Sequence, residues 1–256
     1  MALMVQRVSW SLVFAILAVS IVASSFGQAA LITVCSAGCN ATTVQGGINA
    51  SSSGDEVRII DSREYNESVV VNVTVSLTSN SSTKPVITAA FSLPTVNITS
   101  DNVTVRNLTI KYNGTSSGLQ AVNAFGRANL VIANNTILSL GTLSDYGVFF
   151  NGTNSSIIAN NTISTAIGNL NYGIYVQSST ADNISSNTIS ANGTTNGNRG
   201  VYLDTTTSSR VTSNTIVTNG TAANYGIYVF TGSANTIVLN NITSRGTATG
   251  NHGIFL

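Results

Sequence analysis

The chain has 256 residues, of which 43% are hydrophobic and only 7% charged, with a net charge of +1 and a single histidine. That balance excludes a nucleic-acid binder that works by neutralising phosphates, because there is no basic stripe to do so. It also leaves little ionisable material for acid–base or metal chemistry, and no cofactor is expected.

Residues 1–29 read as an export signal. Arg7 supplies the positive n-region, Val8 to Phe26 is apolar or small throughout, and Gly27-Gln28-Ala29 places small residues for cleavage after Ala29. The apolar run approaches the lower limit of a membrane span, so an uncleaved anchor is the alternative. Either way, a domain over residues 30–256 is expected outside the cytoplasm, secreted or at the cell surface. There Cys35 and Cys39, the two cysteines, should be oxidised to each other as a structural disulfide. A metal site would need four ligands, and no further Cys or nearby His completes one.

A short amphipathic helix is predicted over about 42–53: Val44 and Ile48 share a face, Thr42 or Thr43 can cap it, and Gly54 stops it. Strands are expected at 57–60, 69–77, 86–88 and 96–99. The acidic stretch Asp55, Glu56, Asp61, Glu64 and Glu67, interleaved with Arg58 and Arg63, reads as solvated charge around these first turns of chain.

From about residue 102 to 256 the chain repeats itself. Ile110, Ile137, Ile163, Ile189, Ile216 and Ile242 recur every 26 or 27 residues, and Gly147, Gly173, Gly200, Gly226 and Gly253 keep step. A fixed period of that length dictates a solenoid. Thr, Val, Ile, Asn and Gly are poor helix formers, and the apolar residues alternate with period two, so each unit is one coil of a parallel β-helix. Stacking coils about 4.8 Å apart piles like residues into columns. Four should face inward: the isoleucines; Val148, Ile174, Val201, Ile227 and Ile254; Phe150, Val176, Leu203, Val229 and Leu256; and Val131, Ile157, Ile184, Val211 and Ile237. Asn135, Asn161, Asn187, Asn214 and Asn240 form a further column, expected to adopt the left-handed bend conformation and to hydrogen-bond from coil to coil. The final inward triplet, Ile254-Phe255-Leu256, has no polar cap after it, which reads as a fragment or as an edge that docks onto something.

The phrases Asn-Tyr-Gly-Ile-Tyr-Val (171–176 and 224–229) and Asn-Asn-Thr-Ile (134–137 and 160–163) resemble the right-handed β-helix repeats of the pectin-lyase-like superfamily, nearest its NosD-like branch of surface proteins. The resemblance spans roughly residues 33–256. It implies an all-β, right-handed parallel β-helix whose first coil is covered by the short N-terminal helix. It does not select an activity, since the superfamily holds lyases, hydrolases, adhesins and structural proteins.

Its lyases resemble one another in acidic calcium clusters with an Arg or Lys base, and its hydrolases in closely set aspartates on adjacent coils. Here Asp145, Asp182 and Asp204 fall at different places in their repeats, whereas glycosidic cleavage wants two carboxylates roughly 5–10 Å apart. No catalytic residue is therefore assigned. Asp182 is expected to pair with Arg210 on the next coil, and His252 to be a surface variant. A copper role gains nothing, because the two methionines both lie in the export segment.

The most suggestive feature is an outward aromatic column, Phe149, Tyr175, Tyr202, Tyr228 and Phe255, beside Tyr146, Tyr172, Arg199, Tyr225 and His252. Aromatic groups on a rigid sheet suit contact with sugars, and stacked rings also stabilise neighbouring strands. The outward Thr136, Thr162, Thr188 and Thr215 column reads first as β-propensity. Asn-x-Ser/Thr sequons are frequent; Asn113, Asn151, Asn192 and Asn219 are the best glycosylation candidates, while Asn134 and Asn160 should be hidden beside the asparagine column. The expectation is a non-catalytic surface protein with a structural, adhesive or glycan-contacting role, its partners being surface glycans or other envelope proteins. Membrane attachment would come only through the export segment or a region beyond Leu256. A carbohydrate-active lyase or hydrolase is the alternative.

Overall fold

The computed structural model describes residues 29–90, 92–141, 144–166 and 170–256. The expected export segment lies outside the described residues except for Ala29. Among the described residues no helix is long and apolar enough to cross a membrane.

The chain winds through three parallel sheets, here numbered 1 to 3, of nine, eight and eight strands. From Glu56 onward each coil visits sheets 1, 2 and 3 in turn, as in Val131–Ala133, Thr136–Ser139 and Tyr146–Asn151. The period-two alternation puts one side of every strand inside. In sheet 2, Ile110, Ile137, Ile163, Ile189, Ile216 and Ile242 are register partners in sequence, one over another. The Val148 and Phe150 columns of sheet 3 stack the same way through Ile227 and Val229. On the last coil Ile254 and Leu256 are 47% and 82% exposed. Each fully buried aliphatic contributes about 1.5–3 kcal/mol, so the columns are the main source of stability.

Glycine in the Gly147 column is a packing requirement. A Cβ on Gly147 would stand 2.5 Å from the Ile163 side chain and 2.6 Å from the Gly173 carbonyl oxygen. Sheets 2 and 3 can approach this closely only where no side chain intervenes.

Three expectations are corrected. In sheet 1 the inward column runs Val105, Ile132, Ile158, Ile184, Val211 and Ile237. Val131 and Ile157 therefore face outward, and Ile157 is 37% exposed. The expected strand at 69–77 is two, Val69–Val71 and Ser76–Ser79, separated by a corner and belonging to different sheets. The helix is shorter than its expected span, Val44–Asn49.

Side-chain ladders fill all three corners. Between sheets 1 and 2, the Asn135 backbone N–H donates to Asn161 Oδ1, Asn161 to Asn187, Asn187 to Asn214 and Asn214 to Asn240, each at 2.9 Å. Each amide also reaches back, as Asn187 Nδ2 does to the Ile158 carbonyl at 2.8 Å. The left-handed conformation expected of these asparagines belongs instead to the residue before each: Asn134, Asn160, Ser186, Ser213 and Leu239 have φ of 55–58°. Between sheets 2 and 3 the ladder is Asp145, Asn171, Asn198, Asn224 and Asn251. Between sheets 3 and 1 it is Ser156, Asp182, Ser209 and Asn235. Buried corners would otherwise strand these backbone groups.

The N-terminal end is tied by its charges, a further departure from expectation. Thr43 caps the helix by accepting from Gly46 N–H at 3.0 Å, and the Glu67 carboxylate accepts from Val44 and Gln45 N–H at 2.7 and 3.0 Å. Val44 and Ile48 face the core. Asp55 is buried and accepts from Ser52 and Ala30 N–H, which hold its carboxyl below the usual range. Glu56 pairs with Arg58, and Asp61 accepts from Tyr65 Oη at 2.8 Å. Of this acidic stretch only Glu64 fits the picture of plain solvated charge. The Cys35–Cys39 disulfide is formed, with Cα atoms 5.6 Å apart.

Candidate functional site

The outer side of sheet 3 carries the distinctive surface. Because partners are in register, outward residues line up coil over coil in three columns. The first is Tyr146, Tyr172, Arg199, Tyr225 and His252; the second is Phe149, Tyr175, Tyr202, Tyr228 and Phe255. All five expected aromatic-stripe residues are thus brought together. A third column, Asn151, Gln177, Asp204 and Thr231, flanks them. It was not expected as a unit, although its members through Asp204 all lie four residues after the repeat glycine.

The rings are not laid flat on the sheet. Tyr175 and Tyr202 stack face to face at 4.6 Å and 7°, Tyr146 and Tyr172 at 5.0 Å and 7°, and Phe149 and Tyr175 at 4.9 Å and 29°. Between the two columns Tyr146, Tyr172, Tyr175 and Tyr202 meet edge to face, as Tyr172 does Tyr202 at 5.4 Å and 76°, whereas Tyr225 stacks on Tyr228 at 5.0 Å and 22°. In-register stacking about 4.8 Å apart leaves each interior ring its neighbour's face to pack on. What the face offers outward is ring edges and hydroxyls.

Arg199 sits among tyrosines. Its guanidinium lies 4.4 Å from the Tyr202 centroid and 4.7 Å from those of Tyr172 and Tyr228, a cation–π arrangement. It donates through Nη1 to the Tyr172 hydroxyl, and its Nε is buried without a hydrogen-bond partner among the described residues. His252 stacks on Tyr225 at 5.7 Å and 4°. Burial pushes the Tyr202 hydroxyl up to about 12 and raises Tyr146, Tyr172 and Tyr175 as well, the last also through its bond to Asp204. These hydroxyls therefore stay protonated, that of Tyr175 donating to Asp204 and that of Tyr172 accepting from Arg199.

Asp204 lies on the same outer side, where Oδ2 accepts from Tyr175 Oη at 3.1 Å and Gln177 Nε2 at 2.9 Å, and Oδ1 from Thr205 Oγ1 at 3.0 Å. The other two repeat-region acids are elsewhere. Asp145 is fully buried in the corner between sheets 2 and 3, and Asp182 is 1% exposed in the corner between sheets 3 and 1. The expected Asp182–Arg210 pair is not formed. Asp182 accepts instead from Thr153 Oγ1 at 2.6 Å and Ser156 N–H at 2.8 Å, while Arg210 is exposed beside Asn183. The inward turn of the ladder position dictates this, since it points the carboxyl away from the surface.

The outward Thr136, Thr162, Thr188 and Thr215 column is in register on sheet 2. Of the glycosylation candidates, Asn113 is exposed, whereas Asn151, Asn192 and Asn219 are half-buried. Asn219 Nδ2 donates to Asn192 Oδ1 at 2.6 Å, and Asn151 Nδ2 to Gln177 Oε1 at 3.2 Å. Asn134 and Asn160, expected to be hidden, are exposed, because the left-handed residue at each corner projects outward.

A sequence model of the family described as "Right handed beta helix region" matches residues 94–256. No curated protein matches the chain. Among solved structures, a pectin methylesterase from carrot is similar at 11% identity, covering 90% of this chain and 89% of that one, with a TM-score of 0.46. An alginate lyase from Paenibacillus sp. str. FPU-7 is similar at 10% identity, covering 88% of this chain and 99% of that one, with a TM-score of 0.38. A pectin methylesterase in complex with a hexasaccharide is similar at 13% identity, covering 78% and 80%, with a TM-score of 0.40.

Proposed function

We propose, from the premise that the chain belongs to the right-handed β-helix family, that it is a non-catalytic, exported surface protein whose third sheet contacts glycans. The observation that carries this reading is the three-column outer face of that sheet, with rings, hydroxyls and amides held in register on a stiff scaffold. Tyrosine hydroxyls and ring edges give an amphipathic surface suited to sugars, which also present apolar and hydroxyl-bearing sides. Each coil advances the columns by about 4.8 Å, so an extended glycan lying along the axis meets a repeated set of contacts.

The test is a glycan array probed with the chain and with the triple variant Tyr175→Ala, Tyr202→Ala, Tyr228→Ala. Binding is expected for the former and should fall at least about tenfold for the latter. Equal signals from both would dismiss the face as the contact surface. Cleavage of an arrayed polysaccharide would make the chain a carbohydrate-active enzyme instead.

A further inference from the structure

We propose that this face selects neutral glycans over acidic ones, with Asp204 as the residue that sets the choice; this rests on the glycan-contact reading above. The outer face carries two formal charges on its central coil, five residues apart along the strand Arg199–Thr207, and their surroundings differ. The cation is enclosed. Tyr172, Tyr202 and Tyr228 crowd the Arg199 guanidinium at 4.4–4.7 Å from their ring centroids. A carboxylate or sulfate binds arginine best through a two-pronged fork. The side fork needs Nε, which is buried, and one of the two Nη1 hydrogens that the end fork draws on already donates to the Tyr172 hydroxyl. Arg199 therefore holds its guanidinium against the tyrosine rings, with the side fork closed and the end fork partly committed, which makes it a poor seat for an acidic sugar.

The anion is half-buried like the cation, but its neighbours are hydrogen-bond donors and not ring faces. Asp204 lies in the flanking polar column beside Gln177, and the three donors on it are side chains of this same surface. A carboxylate has about four acceptor sites, so one remains for an incoming hydroxyl. Asn151 and Gln177, in register on the two preceding coils, add amide donors and acceptors along the same line. A chain of hydroxyl-bearing sugars finds acceptors there. A chain carrying a carboxylate on every residue meets Asp204 with like charge, and this is strongest where water is displaced.

The test is calorimetric titration of the chain with neutral hexasaccharides (cellohexaose, xylohexaose, mannohexaose) and with hexagalacturonate and hexaguluronate. At least one neutral probe is expected to bind about tenfold or more tightly than either acidic one, with the gap narrowing as salt is raised. Asp204→Asn, which keeps the shape and removes the charge, should shrink the neutral-to-acidic ratio by about tenfold at an unchanged melting temperature. Asp204→Lys should invert the ratio. Acidic probes that bind as tightly as neutral ones, or a ratio indifferent to Asp204→Asn, would overturn the charge rule while leaving glycan contact standing. Failure of every probe to bind would overturn both.

Discussion

Asp145 is the residue most at odds with its position. It heads a ladder of asparagines, and its N–H donates to Asn171 Oδ1 at 3.4 Å as the ladder requires. Its carboxyl oxygens, however, are buried, and no donor among the described residues reaches them. The Tyr112 hydroxyl nearby donates to the Ser116 carbonyl instead, and Gly141 packs directly against the carboxyl. An asparagine at the equivalent place, Asn198, donates through Nδ2 to Asn224 Oδ1 at 2.9 Å and to the Asn219 carbonyl at 3.0 Å. An ionised carboxylate cannot do this, and burial pushes Asp145 up to about 7. The proton is thus held more tightly in the folded state than at the ordinary 3.8. Stability from this group is full below about 3.8 and is lost as pH rises towards about 7, at no more than about 1.4 kcal/mol per pH unit. Asp145→Asn should remove that slope and raise the melting temperature at pH 8. Melting curves of both proteins from pH 4 to 9 check this, and an unchanged slope would put its origin elsewhere.

At the scale of the element, the corner ladders do for the bends what the isoleucine columns do for the strands. Asn187→Ala would leave Asn161 N–H without its acceptor inside the corner and take from the Ile158 carbonyl the bond that Asn187 donates. The expected cost is about 3 kcal/mol, read by denaturant unfolding. Asn187→Ser should recover part of it, because Ser209 and Ser156 perform the same acceptance between sheets 3 and 1. The columns were legible in the sequence because period and alternation agree at Ile163, Ile189 and Ile216. They failed where two neighbours are equally suited to either side. Val131-Ile132 and Ile157-Ile158 are aliphatic pairs, and only the strand stacked beside them decides which member turns inward. The same ambiguity in Asn134-Asn135 and Asn160-Asn161 hid the division of labour between bend residue and ladder residue. In the candidate site, the membership of the aromatic columns could be read from spacing. The way Tyr175 and Tyr202 spend their faces on each other could not, because it arises only when coils stack. Asp204 reads as an isolated acid until register sets it beside Gln177.

At the scale of the whole molecule, a solenoid couples each coil chiefly to its two neighbours, so damage stays local. Ile189→Ala opens a cavity in the sheet 2 column at about 2–5 kcal/mol. Hydrogen exchange should quicken around Ile163, Ile189 and Ile216 and stay unchanged around Val57 and Leu77, five and four coils away in the stack. Uniform quickening would show instead that the chain opens as one unit. The ladders add a direction to this neighbour-to-neighbour order. In every corner the side chain of a later coil accepts from a backbone N–H of the one before it, as Asn187 does from Asn161, while between sheets 2 and 3 the amides of Asn198 and Asn224 also donate forward to the next coil. The corner N–H groups of a coil are thus satisfied only once the following coil is in place. A stack that ended one coil early would therefore leave its last corners with bare N–H groups, so each turn depends for its polar closure on the one that follows.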